Sequence, residues 1–153
     1  MSRNYVRTTT SLSEQDEELC VDIFRNIMRA RHCLHGLAAA VAAESGLHVA
    51  EMNVIDILGK SGPVSMGRLS SESFISASNT TNTVKKLEQA GFVVRKRAVH
   101  SDREVTVALT AEGKSLFRRC YPRILQQAHE FMSEGLTRSD LRALAGVLGK
   151  LLK

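Results

Sequence analysis

Between Phe92 and Leu109 the sequence changes its period. Up to Ala90 apolar residues recur every three or four positions, as on helix faces. Phe92-Val93-Val94-Arg95-Lys96-Arg97 then reads as a strand, and Glu104-Val105-Thr106-Val107-Ala108-Leu109 alternates as its antiparallel partner. Ala98 to Arg103 is polar and forms the connection, so the pair is a β-hairpin with a basic tip. A lone hairpin is marginal in water and must lie against the helices that flank it.

The flanking segments are helical by pattern. Ser13 with Asp16 approximates a capping box at the start of a long helix reaching Ala43. Its apolar residues Ile23, Ile27, Ala30, Leu34, Leu37 and Val41 form a heptad seam. At about 1.5 Å per residue that helix is roughly 46 Å long, more than a small domain can cover, so the seam is expected to meet another helix. Gly46 ends it. A second helix fits Val49 to Lys60, broken by Ser61-Gly62-Pro63. A short helix is expected from about Ser65 to Ser73, then a turn at Phe74-Ile75. Ser76 caps the next helix, which runs to about Ala90 with Gly91 at the C′ position. After the hairpin, Thr110 caps a helix to about Glu134, which Pro122 should kink and Gly135 stops. Thr137 with Asp140 opens the last, whose Leu141, Leu144, Leu148 and Leu151 repeat the seam spacing. Residues 1–12 show no periodicity and read as an arm.

The expected fold is therefore mainly α with a small β-hairpin, a winged helix-turn-helix with N- and C-terminal dimerisation helices. Its segments are residues 1–46 (arm and dimerisation helix), 47–109 (winged helix-turn-helix) and 110–153 (C-terminal dimerisation helices). Apolar residues make up 43% of the 153, enough for a core, while aromatics are 5% and Trp is absent, so that core must be aliphatic.

Of the net charge of +5, four units fall between Ser76 and Arg103, where Lys85, Lys86, Arg95, Lys96, Arg97 and Arg103 face only Glu88 and Asp102. Such clustering is the electrostatic footprint of a polyanion-binding surface. The polar N-terminus predicts no signal peptide, and the longest nearly apolar run, Gly36 to Ala43, is too short for a bilayer. Three cysteines argue against a disulfide framework and for a cytoplasmic location. His32, Cys33 and His35 lie on one expected helix with no further ligands at a recognisable spacing, so no metal is expected. Nor is there a phosphate loop, a nucleophile elbow or a carboxylate pair. His100-Ser101-Asp102 is contiguous in a hairpin and cannot form a triad. Neither an enzyme nor a cofactor is expected.

The helix from Ser76 presents Ser76, Ser78, Asn79, Thr81, Asn82, Lys85 and Lys86 with few acids. Asn suits adenine, Ser and Thr reach several base edges, and Lys reaches phosphate or guanine. Asn and Thr are poor surface helix formers, so their number is unexplained by mere solvation. Arg97 and Arg103 in the hairpin add backbone or minor-groove contacts, while Arg95 could support the wing from within.

The stretch from Leu47 to Gly113 resembles the MarR (multiple antibiotic resistance regulator) family of winged helix-turn-helix repressors. The resemblance rests on Leu69 and Leu87 at family spacing, then Leu87-Glu88-Gln89-Ala90-Gly91-Phe92-Val93. The basic strand, an Asp-Arg pair in the wing and Leu109-Thr110-Ala111-Glu112-Gly113 complete it. It implies a homodimer on a pseudo-palindromic double-stranded operator, with the helix from Ser76 in the major groove. It also implies a small-molecule effector, for which Arg25, Arg29, His32, Met52 and Phe74 are candidates suited to an aromatic acid.

The sequence departs from the pattern at the wing aspartate position, where Ser101 stands and Asp102 is displaced by one. Thr80 and Thr83 occupy positions that are usually aliphatic in the family, which is expected to loosen the packing of the recognition helix. Leu19-Cys20 resembles the reactive-cysteine context of the family's hydroperoxide-sensing branch, although Phe24 and Leu34 or His35 stand where that branch has tyrosines. Cys20 is thus a candidate redox residue, and a peroxide-sensing repressor is the first alternative. The other alternative is a helical protein-interaction module without DNA binding. No membrane association is expected.

Overall fold

Most helices start beside a hydroxyl side chain that can cap them. In the computed structural model, which describes residues 12–73, 75–98 and 101–151, the order is α1 (Glu14–Glu44), α2 (Val49–Ser61), β1 (Val64–Ser65), α3 (Met66–Glu72), α4 (Ala77–Gln89), β2 (Val93–Ala98), β3 (Ser101–Leu109), α5 (Ala111–Ser133) and α6 (Arg138–Leu151). Ser13, Ser65, Ser76, Thr110 and Thr137 accept from the amides of Asp16, Arg68, Asn79, Gly113 and Asp140 at 3.2, 3.3, 3.3, 3.1 and 3.3 Å. Each such cap typically stabilises its helix by about 1 kcal/mol. At α2 the cap is reversed, with the His48 amide donating to the Glu51 carboxylate at 2.8 Å.

The chain divides into two compact units, Met1–Leu34 and His35–Lys153, with the boundary inside α1. In the second unit the core is Val41, Ala42, Met52, Val54, Ile55, Ile57, Leu58, Val64, Leu69, Val84, Leu87, Val93, Val107, Leu116 and Cys120. It is aliphatic, as the composition requires; Phe92 and Phe117 pack only at its margin. Burying each Leu or Ile here contributes about 1.5–3 kcal/mol.

The β-structure exceeds the expected hairpin. It is a three-stranded antiparallel sheet of order β1-β3-β2, with Val64 opposite Val107 and Val93 opposite Leu109. β1 is too short to have a period. It exists because Gly62, at φ +73, turns the chain out of α2 so that Val64 can pair across β3. The hairpin is also longer than expected, since β3 begins at Ser101 and not Glu104, with a bulge between Arg97 and Ala98. Main-chain pairing does not need alternating apolar side chains, so the polar stretch joins the ladder.

The first turn of α5 is seated tightly on the Gly91-Phe92 turn that precedes β2. The Thr110 hydroxyl donates to the carbonyls of Gly91 (2.7 Å) and Phe92 (3.2 Å). A Cβ on Gly113 would lie 2.0 Å from the Phe92 carbonyl oxygen. These contacts give Leu109-Thr110-Ala111-Glu112-Gly113 its physical meaning. α5 runs through Pro122 to Ser133, close to the expected end at Glu134. Pro122 and Arg118, whose carbonyl loses its amide partner, are both exposed, so water can satisfy that carbonyl.

Past Cys120, no residue of α5 or α6 is buried; Leu125, Leu144, Val147 and Leu151 are exposed. On the first unit's part of α1, Leu19, Ile23, Phe24, Ile27 and Met28 are exposed as well.

Candidate nucleic-acid interface

α4 has two clean faces. Thr80, Thr83, Val84 and Leu87, at helical spacing, are buried. Ser78, Asn79, Thr81, Asn82, Lys85, Lys86 and Gln89 are exposed. Of the two buried threonines, Thr80 has its hydroxyl 3.0 Å from the Ser76 carbonyl and 3.2 Å from the Ser73 hydroxyl, so its buried polar atom is satisfied.

Chemically the exposed face is well suited to base edges and phosphates. Thr81 donates its proton to the Ala77 carbonyl (3.0 Å), leaving its oxygen to accept. Ser76 is exposed but its oxygen is shared with the cap and with the Ser78 hydroxyl at 3.2 Å. Among the described residues the side-chain amides of Asn79 and Asn82 make no hydrogen bond, and neither Lys85 nor Lys86 forms an ion pair. Asn79, Asn82, Lys85, Lys86 and Gln89 also line an open groove of about 530 Å³, whose other side is Ala50 of α2 and Ile75. Gln89 was missed by sequence reasoning, although it lies seven residues after Asn82, on the same helix face.

Glu88 is the one acid of α4, and it is occupied. Its Oε2 accepts from Arg95 Nε at 2.8 Å and from an Arg95 terminal nitrogen, and Oε1 accepts from the Arg95 amide at 3.2 Å. The Arg95 side chain holds the Glu88 carboxyl below the ordinary carboxylate range, and Glu88 in turn raises the guanidinium pKa. Arg95 thus supports the wing from the α4 side and is not a free cation. The sequence left that role open because the partner lies seven residues away across a turn.

The other candidates are placed as follows. Arg97 and Arg103 belong to β2 and β3 by backbone, and their side chains lie outside the described residues. Arg25, Arg29 and His32 are exposed on α1. Met52 is buried in the core of the second unit, and Phe74 lies outside the described residues. Cys20 and Cys33 are exposed, while Cys120 is buried with its Sγ 3.3 Å from the Ser45 hydroxyl. Among the described residues no group of three or more His, Cys, Asp or Glu side chains could hold a metal ion. No single helix there is long and apolar enough to cross a membrane.

The family model described as MarR family matches residues 45–104. An uncharacterized HTH-type transcriptional regulator of Bacillus subtilis (strain 168), YcgE, is 33% identical over 133 residues, 84% of each chain. The chain belongs to the MarR family. A mutant of MarR from E. coli, solved in complex with operator DNA, matches this MarR-family chain with a TM-score of 0.77 at 20% identity, covering 92% of this chain and 100% of that one. NadR in complex with 4-hydroxyphenylacetate matches with a TM-score of 0.75 at 22% identity, covering 97% and 98%. At such identities these likenesses establish the MarR-family winged-helix fold. As a member of that family the chain is a transcription regulator and not an enzyme.

Proposed function

We propose that this regulator is a repressor that binds a pseudo-palindromic operator as a homodimer and is released by a small aromatic acid. The carrying observation is α4 itself: one face locked into the core, the other lined by Asn79, Thr81, Asn82, Lys85 and Lys86 with its single acid neutralised by Arg95. Asparagines at base edges supply selectivity, and lysines on phosphates supply affinity. Ser76 and Ser78 sit at the helix start, where a major-groove helix makes its base contacts. Arg97 and Arg103 complete the proposed set in the wing.

The dimer is supported by the apolar side chains left exposed on α1, α5 and α6. Exposed large apolar residues at seam spacing are what a second copy would cover. In this arrangement residues 1–46 and 110–153 assemble the dimer and 47–109 carry the DNA-binding unit. Two-fold symmetry then spaces the recognition helices about 34 Å apart, one turn of DNA. Light scattering at micromolar concentration is expected to give twice the chain mass; a monomer would refute this part.

For the effector, Arg25, Arg29 and His32 offer basic side chains on α1. NadR was solved with an aromatic acid bound. A ligand that binds the DNA-free conformation better must lower DNA affinity by its differential binding.

The test has two stages. Duplexes selected from random DNA are expected to share an inverted repeat, and binding is expected to weaken steeply with salt. A panel of aromatic acids is then titrated against the selected duplex. Selection without any enriched sequence would overturn operator recognition, and acids that bind without changing duplex affinity would overturn the proposed release.

A further inference from the structure

The turn between α3 and α4 contains a buried chain of hydroxyls. Ser73, the C-cap of α3, and Thr80, in the second turn of α4, are both essentially excluded from water, at 1% and 0% exposure. Their hydroxyl oxygens are 3.2 Å apart. Thr80 Oγ1 also reaches the Ser76 carbonyl at 3.0 Å, and Ser73 Oγ reaches the Ser70 carbonyl at 3.3 Å. Asn53 of α2 donates through Nδ2 to the Ser73 carbonyl at 2.7 Å. Each hydroxyl has one proton. If both gave theirs to carbonyls of their own helices, the two oxygens would face each other at 3.2 Å with lone pairs only and no bond between them. Two arrangements avoid that: Ser73 donates to Thr80, which donates to Ser76, or Thr80 donates to Ser73, which donates to Ser70. Each keeps the bond between the two helices.

We propose that Thr80 is a positioning residue for operator recognition: through Ser73, itself held by Asn53, it fixes the rotation of α4 about its own axis. This rests on the DNA-binding reading of α4 given above. The remaining buried residues of α4, Thr83, Val84 and Leu87, pack through side chains that make no hydrogen bond to α2 or α3 among the described residues. Methyl groups resist separation but tolerate small rotations, whereas a hydrogen bond is directional. Side-chain tips lie about 5–6 Å from a helix axis, so a 10° rotation moves them by about 1 Å. Asn79 and Asn82 need better placement than that to bond a base edge twice. Lys85 and Lys86 do not, because a flexible ammonium follows its phosphate. Loss of the hydroxyl chain therefore lowers selectivity and leaves non-specific binding intact. A buried hydroxyl in a satisfied network, where an aliphatic side chain of equal shape would fill the space, fits a role in specificity more than in stability.

The test uses Thr80→Val, which keeps shape, Thr80→Ser, which keeps the hydroxyl, and Ser73→Ala, which removes the partner with little loss of volume. The probes are the duplex most enriched by the wild-type chain from a random pool and a shuffled duplex of equal length. Affinities are read at several salt concentrations. Thr80→Val and Ser73→Ala are each expected to lower the selected-to-shuffled affinity ratio about five- to tenfold. Affinity and salt slope on the shuffled duplex should stay as in wild type. Thr80→Ser should retain the ratio, and the Ser73→Ala/Thr80→Val double variant should lose no more than either single change. A full ratio in Ser73→Ala and Thr80→Val, or an equal loss on both duplexes, overturns the positioning role while leaving DNA binding standing. A wild-type chain that enriches no duplex overturns the DNA-binding reading itself, and the positioning role with it.

Discussion

Arg95 of β2 and Glu88 of α4 are joined three times, twice through the guanidinium and once through the Arg95 main-chain amide. The link fastens the wing's first strand to the end of the helix that precedes it.

This link sets a pH dependence. Arg95 lowers the Glu88 pKa, so its contribution is present above the carboxyl's ordinary value of 4.5 and is lost as pH falls through the lower folded value. Both side chains are about a third exposed, 38% for Arg95 and 32% for Glu88, so solvent screens the pair and it is worth less than about 1 kcal/mol. Glu88→Gln should therefore shift the urea midpoint only slightly at pH 7. As pH falls below the carboxyl's ordinary value of 4.5, its stability should change less with pH than that of wild type. Parallel profiles for the two proteins in that window would show that the pair is not formed in solution.

Gly113→Ala should destabilise by about 1–3 kcal/mol, the usual cost of overpacking. The new Cβ would meet main-chain oxygen at 2.0 Å, which no side-chain rotation relieves. Gly67→Ala in α3, with nothing within 4 Å, is the control and should be neutral or stabilising by up to about 1 kcal/mol. Thermal unfolding of the two variants measures the difference; equal melting temperatures would contradict the seating of α5 on the Gly91-Phe92 turn.

Asn82→Ala should weaken the selected duplex by about 1–3 kcal/mol and barely affect a shuffled one. Lys85→Ala should weaken both alike and reduce the salt slope by about one. Both side chains are exposed on the same helix face, so the contrast isolates chemistry from position. If the two variants lose affinity in the same pattern, α4 does not divide its work between bases and phosphates.

Cys20 is exposed on α1, where Asp16 and Glu17 crowd the preceding turn. Phe24 and Leu34 or His35 stand where the hydroperoxide-sensing branch has its tyrosines. Cys20→Ser should accordingly repress as wild type does, and a small excess of organic hydroperoxide should leave operator binding of both unchanged. Loss of binding in wild type alone would make the chain a peroxide sensor.

By itself the sequence determined the helices, their caps and the two faces of α4, because each depends on residues within a turn or two. Ser13, Ser65, Ser76, Thr110 and Thr137 stand beside the amides they bind, and the spacing of Thr80, Thr83, Val84 and Leu87 is the helix period itself. The aliphatic core followed from composition. Tertiary structure alone decided what depends on distant partners. β1 is a strand only because Val107 lies opposite Val64, 43 residues on. Arg95 is a strut only because Glu88 faces it, and Gly113 is required only because the Phe92 carbonyl stands against it. Thr80 looked like a packing defect in the sequence; Ser73 makes it a satisfied buried group, since a hydroxyl's cost in a core depends on its partner and not on its own identity.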